Sequence, residues 1–209
     1  GQKNKGEFMK KMVIILLIVL LAGVLLAVTG FVIAYNQVGN IEEKSASFDY
    51  YSGDNLTVDC TTSDVYVTVG EESGKVKFKY YENNNIKTTV EKSGNDISLI
   101  VDKKSNFFIW NAFLKRTAVE VTLPKNFSGN MTPKTNTGKL DLNAGGADIR
   151  KLEAVISTGD MDLKSVAVSD SATIKSSTGK ITVNGLTVTN GLTVTGTTED
   201  ISLTSVTVG

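Results

Sequence analysis

Apolar and polar residues alternate with a period of two along most of the chain after residue 48, and near the C-terminus the alternation itself repeats. Four segments carry the same pattern. They are Thr137-Gly138-Lys139-Leu140-Asp141-Leu142, Thr158-Gly159-Asp160-Met161-Asp162-Leu163, Thr178-Gly179-Lys180-Ile181-Thr182-Val183 and Thr198-Glu199-Asp200-Ile201-Ser202-Leu203. Their second residues stand 21, 20 and 20 apart. Residues two apart on a strand share a face, so Leu140 and Leu142, and their equivalents in each repeat, face inward together. Two further apolar pairs recur in each repeat, such as Val166 with Val168 and Ala172 with Ile174. Three inward pairs per repeat predict a three-sided coil around one apolar bore. A single coil cannot bury its own ladder, so the coils must stack. Each buried aliphatic side chain then contributes about 1.5–3 kcal/mol. The predicted fold class is all-β, a β-solenoid (single-stranded β-helix) with coils of about twenty residues.

Turn chemistry agrees with this pattern. The glycine of each Thr-Gly pair can take a positive φ at the corner, and Glu199 stands where the last repeat lacks it. Upstream the period is lost, but Lys75-Val76-Lys77-Phe78-Lys79-Tyr80 and Ile86-Lys87-Thr88-Thr89-Val90 still alternate between Gly, Asn and Ser turns. Residues 48–125 are therefore expected to form an irregular, hairpin-rich leading region, and 126–209 the regular coils. Both prolines, Pro124 and Pro133, are expected outside strand interiors.

A different pattern opens the chain. Val13 to Tyr35 is a run of 23 residues without a charge. As a helix it is about 35 Å long, enough for the hydrocarbon core of a bilayer. Lys3, Lys5, Lys10 and Lys11 precede it against Glu7 alone, and Glu42, Glu43 and Lys44 follow it. The positive-inside rule predicts a cytoplasmic basic tail (1–12), a transmembrane helix (13–35), a linker (36–47) and an extracytoplasmic domain (48–209). The expected location is the cell membrane, single-pass, with the N-terminus cytoplasmic. A cleaved signal peptide, the rival reading, calls for a shorter apolar core and a small-residue cleavage site, neither of which is present.

Composition narrows the chemistry. Lys+Arg and Asp+Glu both number 22, but the first twelve residues hold four bases and one acid. The remainder is therefore slightly acidic, with 18 bases against 21 acids, and no nucleic-acid partner is expected. The chain has no histidine, which excludes Ser-His-Asp and Cys-His catalysis and His-ligated zinc. Its one cysteine, Cys60, shares the parity of Val58 and reads as a core thiol. Asp160 and Asp162 point outward near a turn and read as solvated acids rather than a Ca²⁺ site. Arg116 and Arg150 are the only arginines and lie apart from these acids. No catalytic residue, metal or cofactor is assigned, and the chain is not expected to be an enzyme.

The segment Lys103 to Arg116 holds three of the eight Phe and the only Trp, between basic pairs. Phe107, Phe108, Trp110, Phe113, Lys115 and Arg116 are the candidate contact with a membrane surface or a partner. The competing reading is a cap that plugs the coil stack, and the two readings differ in whether the aromatics are buried.

Together these features resemble the putative-adhesin family of β-strand-repeat proteins of bacterial envelopes. The resemblance rests on Ser157-Thr158-Gly159-Asp160-Met161-Asp162-Leu163, on the strand Val119-Glu120-Val121-Thr122-Leu123-Pro124, on the anchor, and on the coils of 48–209. It implies a membrane-anchored, non-enzymatic binding or scaffold module of the cell envelope, adhesin-like or associated with envelope stress. The partners it implies are an envelope protein, a wall polymer or lipid. A second reading is a self-assembling structural solenoid, joined through the coil that ends at Val208-Gly209 with no polar cap. A third, disfavoured, is a polysaccharide-active enzyme.

Overall fold

The computed structural model describes residues 2–38, 41–103, 117–197 and 200–209. The chain divides into a helical unit, Gly1–Asn40, and a β unit, Ile41–Gly209. The helical unit is one helix, α1 (Gln2–Val38). Its stretch Met12–Gly30 has a mean hydropathy of 3.2 and is long and apolar enough to cross a membrane. Within Met12–Gly30 the side chains are exposed, Leu25 at 69%, so this stretch presents an apolar surface that water does not favour.

The β unit contains β1 (Glu42–Asp49), β2 (Asn55–Cys60), β3 (Asp64–Val69), β4 (Lys75–Glu82), β5 (Ile86–Ser93), β6 (Asp96–Lys103), β7 (Ala118–Leu123) and β8 (Asn130–Thr137). It continues with β9 (Leu140–Asn143), β10 (Asp148–Ile149), β11 (Lys151–Thr158), β12 (Met161–Val168), β13 (Ser171–Thr178), β14 (Ile181–Val188), β15 (Gly191–Gly196) and β16 (Ile201–Val208). These strands make two open sheets. The first runs β1-β4-β7-β3-β9-β12-β14-β16, with β10 also paired to β12; the second runs β15-β13-β11-β8-β2-β6-β5.

From β8 onward the chain shuttles between the sheets, and each strand lies parallel to its counterpart in the next coil. Met161 pairs with Ile181 and Ile181 with Ile201 in the first sheet; Leu152 pairs with Ala172 and Ala172 with Leu192 in the second. The inward residues form one continuous core. Leu140, Met161 and Ile181 are buried, as are Leu163, Val183, Val166, Leu186, Ala154 and Ile174. At the last coil the burial fades, and Ile201 and Leu203 are 42% and 46% exposed.

All three expected apolar pairs point into this core, but the coil does not have three separate sides. Two of the pairs lie on one continuous strand of the first sheet. In β12 the buried positions step from Met161 and Leu163 to Val166 and Val168, so the alternation changes phase at Ser165. Ser165 has φ 50°, and its counterparts Gly185 and Ser205 have φ 77° and 53°. One left-handed residue per coil bends the strand and turns both pairs inward while the ladder to the next coil continues.

Stack order departs from chain order. β2 lies between β6 and β8, and β3 lies between β7 and β9, each pair parallel. The coil β2–β3 is thus inserted between the later coils β6–β7 and β8–β9. β4 and β5 pair antiparallel with β7 and β6, and β1 pairs with β4 at the edge. Pro133 also departs from expectation. It lies inside β8, facing inward and buried, where it pairs across to Val58 of β2. The last corner, Thr198-Glu199, lies outside the described residues.

Candidate functional site

The two outward faces of the stack differ in chemistry. On the first sheet the charges pair with one another. Lys139 donates to Asp141 at 2.7 Å and Lys164 to Asp162 at 2.7 Å. The hydrogen bond to Asp141 raises the pKa of Lys139 above its usual value, and the bond to Asp162 does the same for Lys164. Farther along this face Lys79 reaches Glu43 at 3.1 Å, Lys77 pairs with Glu72, and Lys44 pairs with Glu82. Asp162 stands beside Asp141 in register, so the two lysines offset what would otherwise be a like-charge repulsion. These acids and bases hold each other and leave little unmatched charge for a ligand.

Asp160 and Asp162, the carboxylates that the sequence places near a turn, serve different ends. Asp160 accepts a hydrogen bond from the Lys180 backbone N–H of the next coil at 3.1 Å, while Asp162 takes the Lys164 ammonium. Asp64 accepts from the Lys139 backbone N–H at 2.7 Å in the same way. Among the described residues no group of three His, Cys, Asp or Glu side chains could hold a metal ion. Cys60 is fully buried, and burial, with Asp59 beside it, pushes its thiol up to about 12. At neutral pH it is a packed, protonated thiol rather than a nucleophile.

The second sheet presents a flat polar face. Its outward positions on β8, β11 and β13 are Thr132 and Lys134, then Lys151, Glu153 and Val155, then Ser171, Thr173 and Lys175. A shallow depression of about 310 Å³ opens on this face. Lys151, Glu153, Lys175, Thr132, Ser171 and Thr173 surround it, with Met131 and Leu152 below. The three hydroxyl residues are half-buried, and the three charged ones are exposed. Lys151 reaches Asp170 at 3.4 Å and Glu153 reaches Lys134 at 3.8 Å. Lys175 makes no ion pair among the described residues.

The sequence pattern does not single out this depression, because Thr132, Ser171 and Thr173 are ordinary outward hydroxyls of alternating strands. One signal was available, the proline among the alternating positions of β8. The candidate contact residues Phe107, Phe108, Trp110, Phe113, Lys115 and Arg116 lie outside the described residues. Their segment joins β6 of the second sheet to β7 of the first.

A family model described as Toastrack DUF4097 matches residues 53–209. A solved structure, a putative cell adhesion protein from Clostridium sporogenes, has a TM-score of 0.50 at 13% identity, covering 81% of this chain and 99% of that one. At that identity the likeness shows a shared fold. A putative adhesin from Bacteroides fragilis gives a TM-score of 0.29 at 11% identity, covering 80% and 96% of the two chains. A putative lipid binding protein from Parabacteroides distasonis gives 0.29 at 12%, covering 82% and 98%. No curated protein matches the chain.

Proposed function

This chain belongs to the Toastrack DUF4097 family, and we propose from that premise that it is a membrane-anchored, non-enzymatic binding module displayed outside the cell. Residues 13–35 are the anchor and 1–12 its cytoplasmic tail; the displayed domain is the β unit Ile41–Gly209, which takes in most of the expected linker 36–47 because β1 (Glu42–Asp49) is a paired strand of the first sheet. The lysines ahead of the apolar run favour that orientation. The observation that carries the reading is the outward face of the second sheet. It carries Thr132, Ser171 and Thr173 with Lys151 and Lys175 around Glu153, which pairs with Thr173, and is indented by a depression of only about 310 Å³. A small, shallow site on a flat polar face suits contact with an extended polymer better than enclosure and conversion of a substrate. The partner is a polymer of the cell wall, and Phe107, Phe108, Trp110, Phe113, Lys115 and Arg116 form a second contact with the outer leaflet.

Co-sedimentation tests both contacts. Residues 41–209, which lack the apolar helix, are pelleted without detergent with isolated cell walls and, separately, with vesicles of anionic phospholipid. Wild type is expected to pellet with walls, and Trp110→Ala is expected to lose only the vesicle arm. A folded chain that stays in the supernatant with walls defeats the reading.

A further inference from the structure

We infer that the depression on the second sheet is a binding site for one anionic, hydroxyl-rich saccharide unit of a surface polymer, built around a gap in the sheet at Pro133. This inference rests on the binding-module reading above and names the ligand class and place of that contact.

β8 is a central strand, paired on one side with β2 and on the other with β11. Towards β2 the pairing is continuous from Leu56↔Met131 through Val58↔Pro133 to Cys60↔Thr135. Towards β11 it is broken. Leu152 pairs with Met131 and Val155 with Lys134, but Glu153 and Ala154 have no partner on β8. Proline has no N–H to give, and a proline inside a central strand removes one ladder hydrogen bond. The break falls on the β11 side, so that is where a main-chain acceptor loses its donor. A polar main-chain group without a partner is costly unless water or a ligand supplies one.

The depression lies over this break. Met131 and Leu152, its floor, are the last residues paired before the gap, and Thr132 and Glu153 are the outward residues at the gap itself. Neighbouring strands are about 4.8 Å apart, so Thr132 on β8 and Thr173 on β13 stand about 10 Å apart across Glu153. That is the span of one pyranose ring with its substituents. A volume of about 310 Å³ is at the lower end for small-molecule sites and fits one sugar unit rather than a longer ligand. The open sheet face leaves both ends of the unit clear, so the rest of a polymer can run on across the strands.

Charge sets the class. Hydroxyls of Thr132, Ser171 and Thr173 both donate and accept, as sugar hydroxyls require. Lys151 is engaged by Asp170 and Glu153 by Lys134, which leaves Lys175 as the cation at the rim with no ion pair among the described residues. A sugar that carries a carboxylate would bring the missing counter-charge, and a ring hydroxyl could donate to the acceptor left open opposite Pro133.

Saturation-transfer NMR on the full chain in detergent micelles tests this, with D-glucuronate as probe and D-glucose and inorganic phosphate as counterparts. Glucuronate is expected to receive saturation where glucose and phosphate at equal concentration do not. Lys175→Ala and Pro133→Ala, the latter returning the missing N–H, are each expected to weaken glucuronate binding about tenfold, equivalent to about 1.4 kcal/mol. Lys175 is exposed, and its variant is expected to keep the wild-type circular dichroism and melting temperature. Pro133→Ala is expected to melt no lower than wild type. Equal binding of glucose, binding of phosphate in place of glucuronate, or binding that ignores both substitutions overturns the inference. So does the absence of glucuronate binding: if walls still pellet the chain, the inference falls alone, and if they do not, the binding-module reading falls with it.

Discussion

Gly159 and Gly179 take φ values of 129° and 122°, and the corners they make are crowded by the coil above. A Cβ on Gly159 would stand 1.8 Å from the backbone oxygen of Gly138, and one on Gly179 would stand 2.0 Å from that of Gly159. Gly138 meets the backbone oxygen of Ser63 in the same way, at 2.6 Å. These φ values lie beyond the left-handed well that Asn can enter, and the clearance admits no side chain either, because backbone rather than a flexible side-chain tip is in the way. Gly159→Ala therefore combines left-handed strain with a backbone clash. It is expected to lower the stability of residues 41–209 by about 2–4 kcal/mol, read as a fall in the urea midpoint. Their place after Thr at each repeat start marks these glycines as turn residues. Their second role is invisible in the sequence, since the atom each one makes room for belongs to another coil.

Between neighbouring corners, the bend at Ser165 works on a whole strand. It lets β12 present Leu163 and then Val166 to the same core without ending its ladder to β14, which resumes at Val166↔Leu186. The next coil has glycine at this position, Gly185, and Ser165 adopts nearly the same φ. A serine held left-handed costs about 1 kcal/mol that glycine does not. Ser165→Gly is expected to raise stability by up to about 1 kcal/mol, and Ser165→Val to lower it; both are read from urea midpoints. All three apolar pairs were legible in the sequence, because burial writes itself into alternation. That two of them share a strand was not, because a phase change in the pattern looks the same whether the chain turns a corner or only bends. The insertion of β2–β3 between later coils was hidden for a related reason. Leu56, Val58 and Cys60 alternate as Met131, Pro133 and Thr135 do, and nothing local says which strand will be the neighbour. Pro133 defeats the usual rule for central strands because only its β11 side forgoes a bond, and that same exception marks the candidate site.

Across the whole β unit, pH acts through exposed pairs and one silent range. Glu82 has its pKa lowered from 4.5, first by its hydrogen bond from Lys44; Glu72 is lowered chiefly by Lys77, and Glu43 by Tyr81 and then Lys79. Asp170 is lowered from 3.8, first by Asn190. A carboxyl whose folded pKa lies below its unfolded one stabilises the fold above the unfolded value and loses that contribution as pH falls through the folded value. Stability should therefore begin to drop below about pH 4.5 and continue down as these groups protonate, each by a small amount because water screens them. On the basic side Lys44, Lys79, Lys139 and Lys164 are raised from 10.5 by hydrogen bonds to Glu82, Glu43, Asp141 and Asp162 respectively. Their contribution is complete below 10.5 and fades only as pH rises through the higher folded values. Between about pH 6 and 9 the groups named here keep their charge: histidine is absent, and the Cys60 thiol, raised by burial from 9.0 up to about 12, costs stability only as the unfolded thiol ionises above about 9. Urea unfolding of residues 41–209 from pH 3 to 9 should give a plateau between about pH 6 and 9 and a decline on the acid side. Added salt should shrink that decline, since the pairs behind it lie at the surface. A step in stability near neutral pH would contradict this account, because no side chain assigned to the fold titrates there.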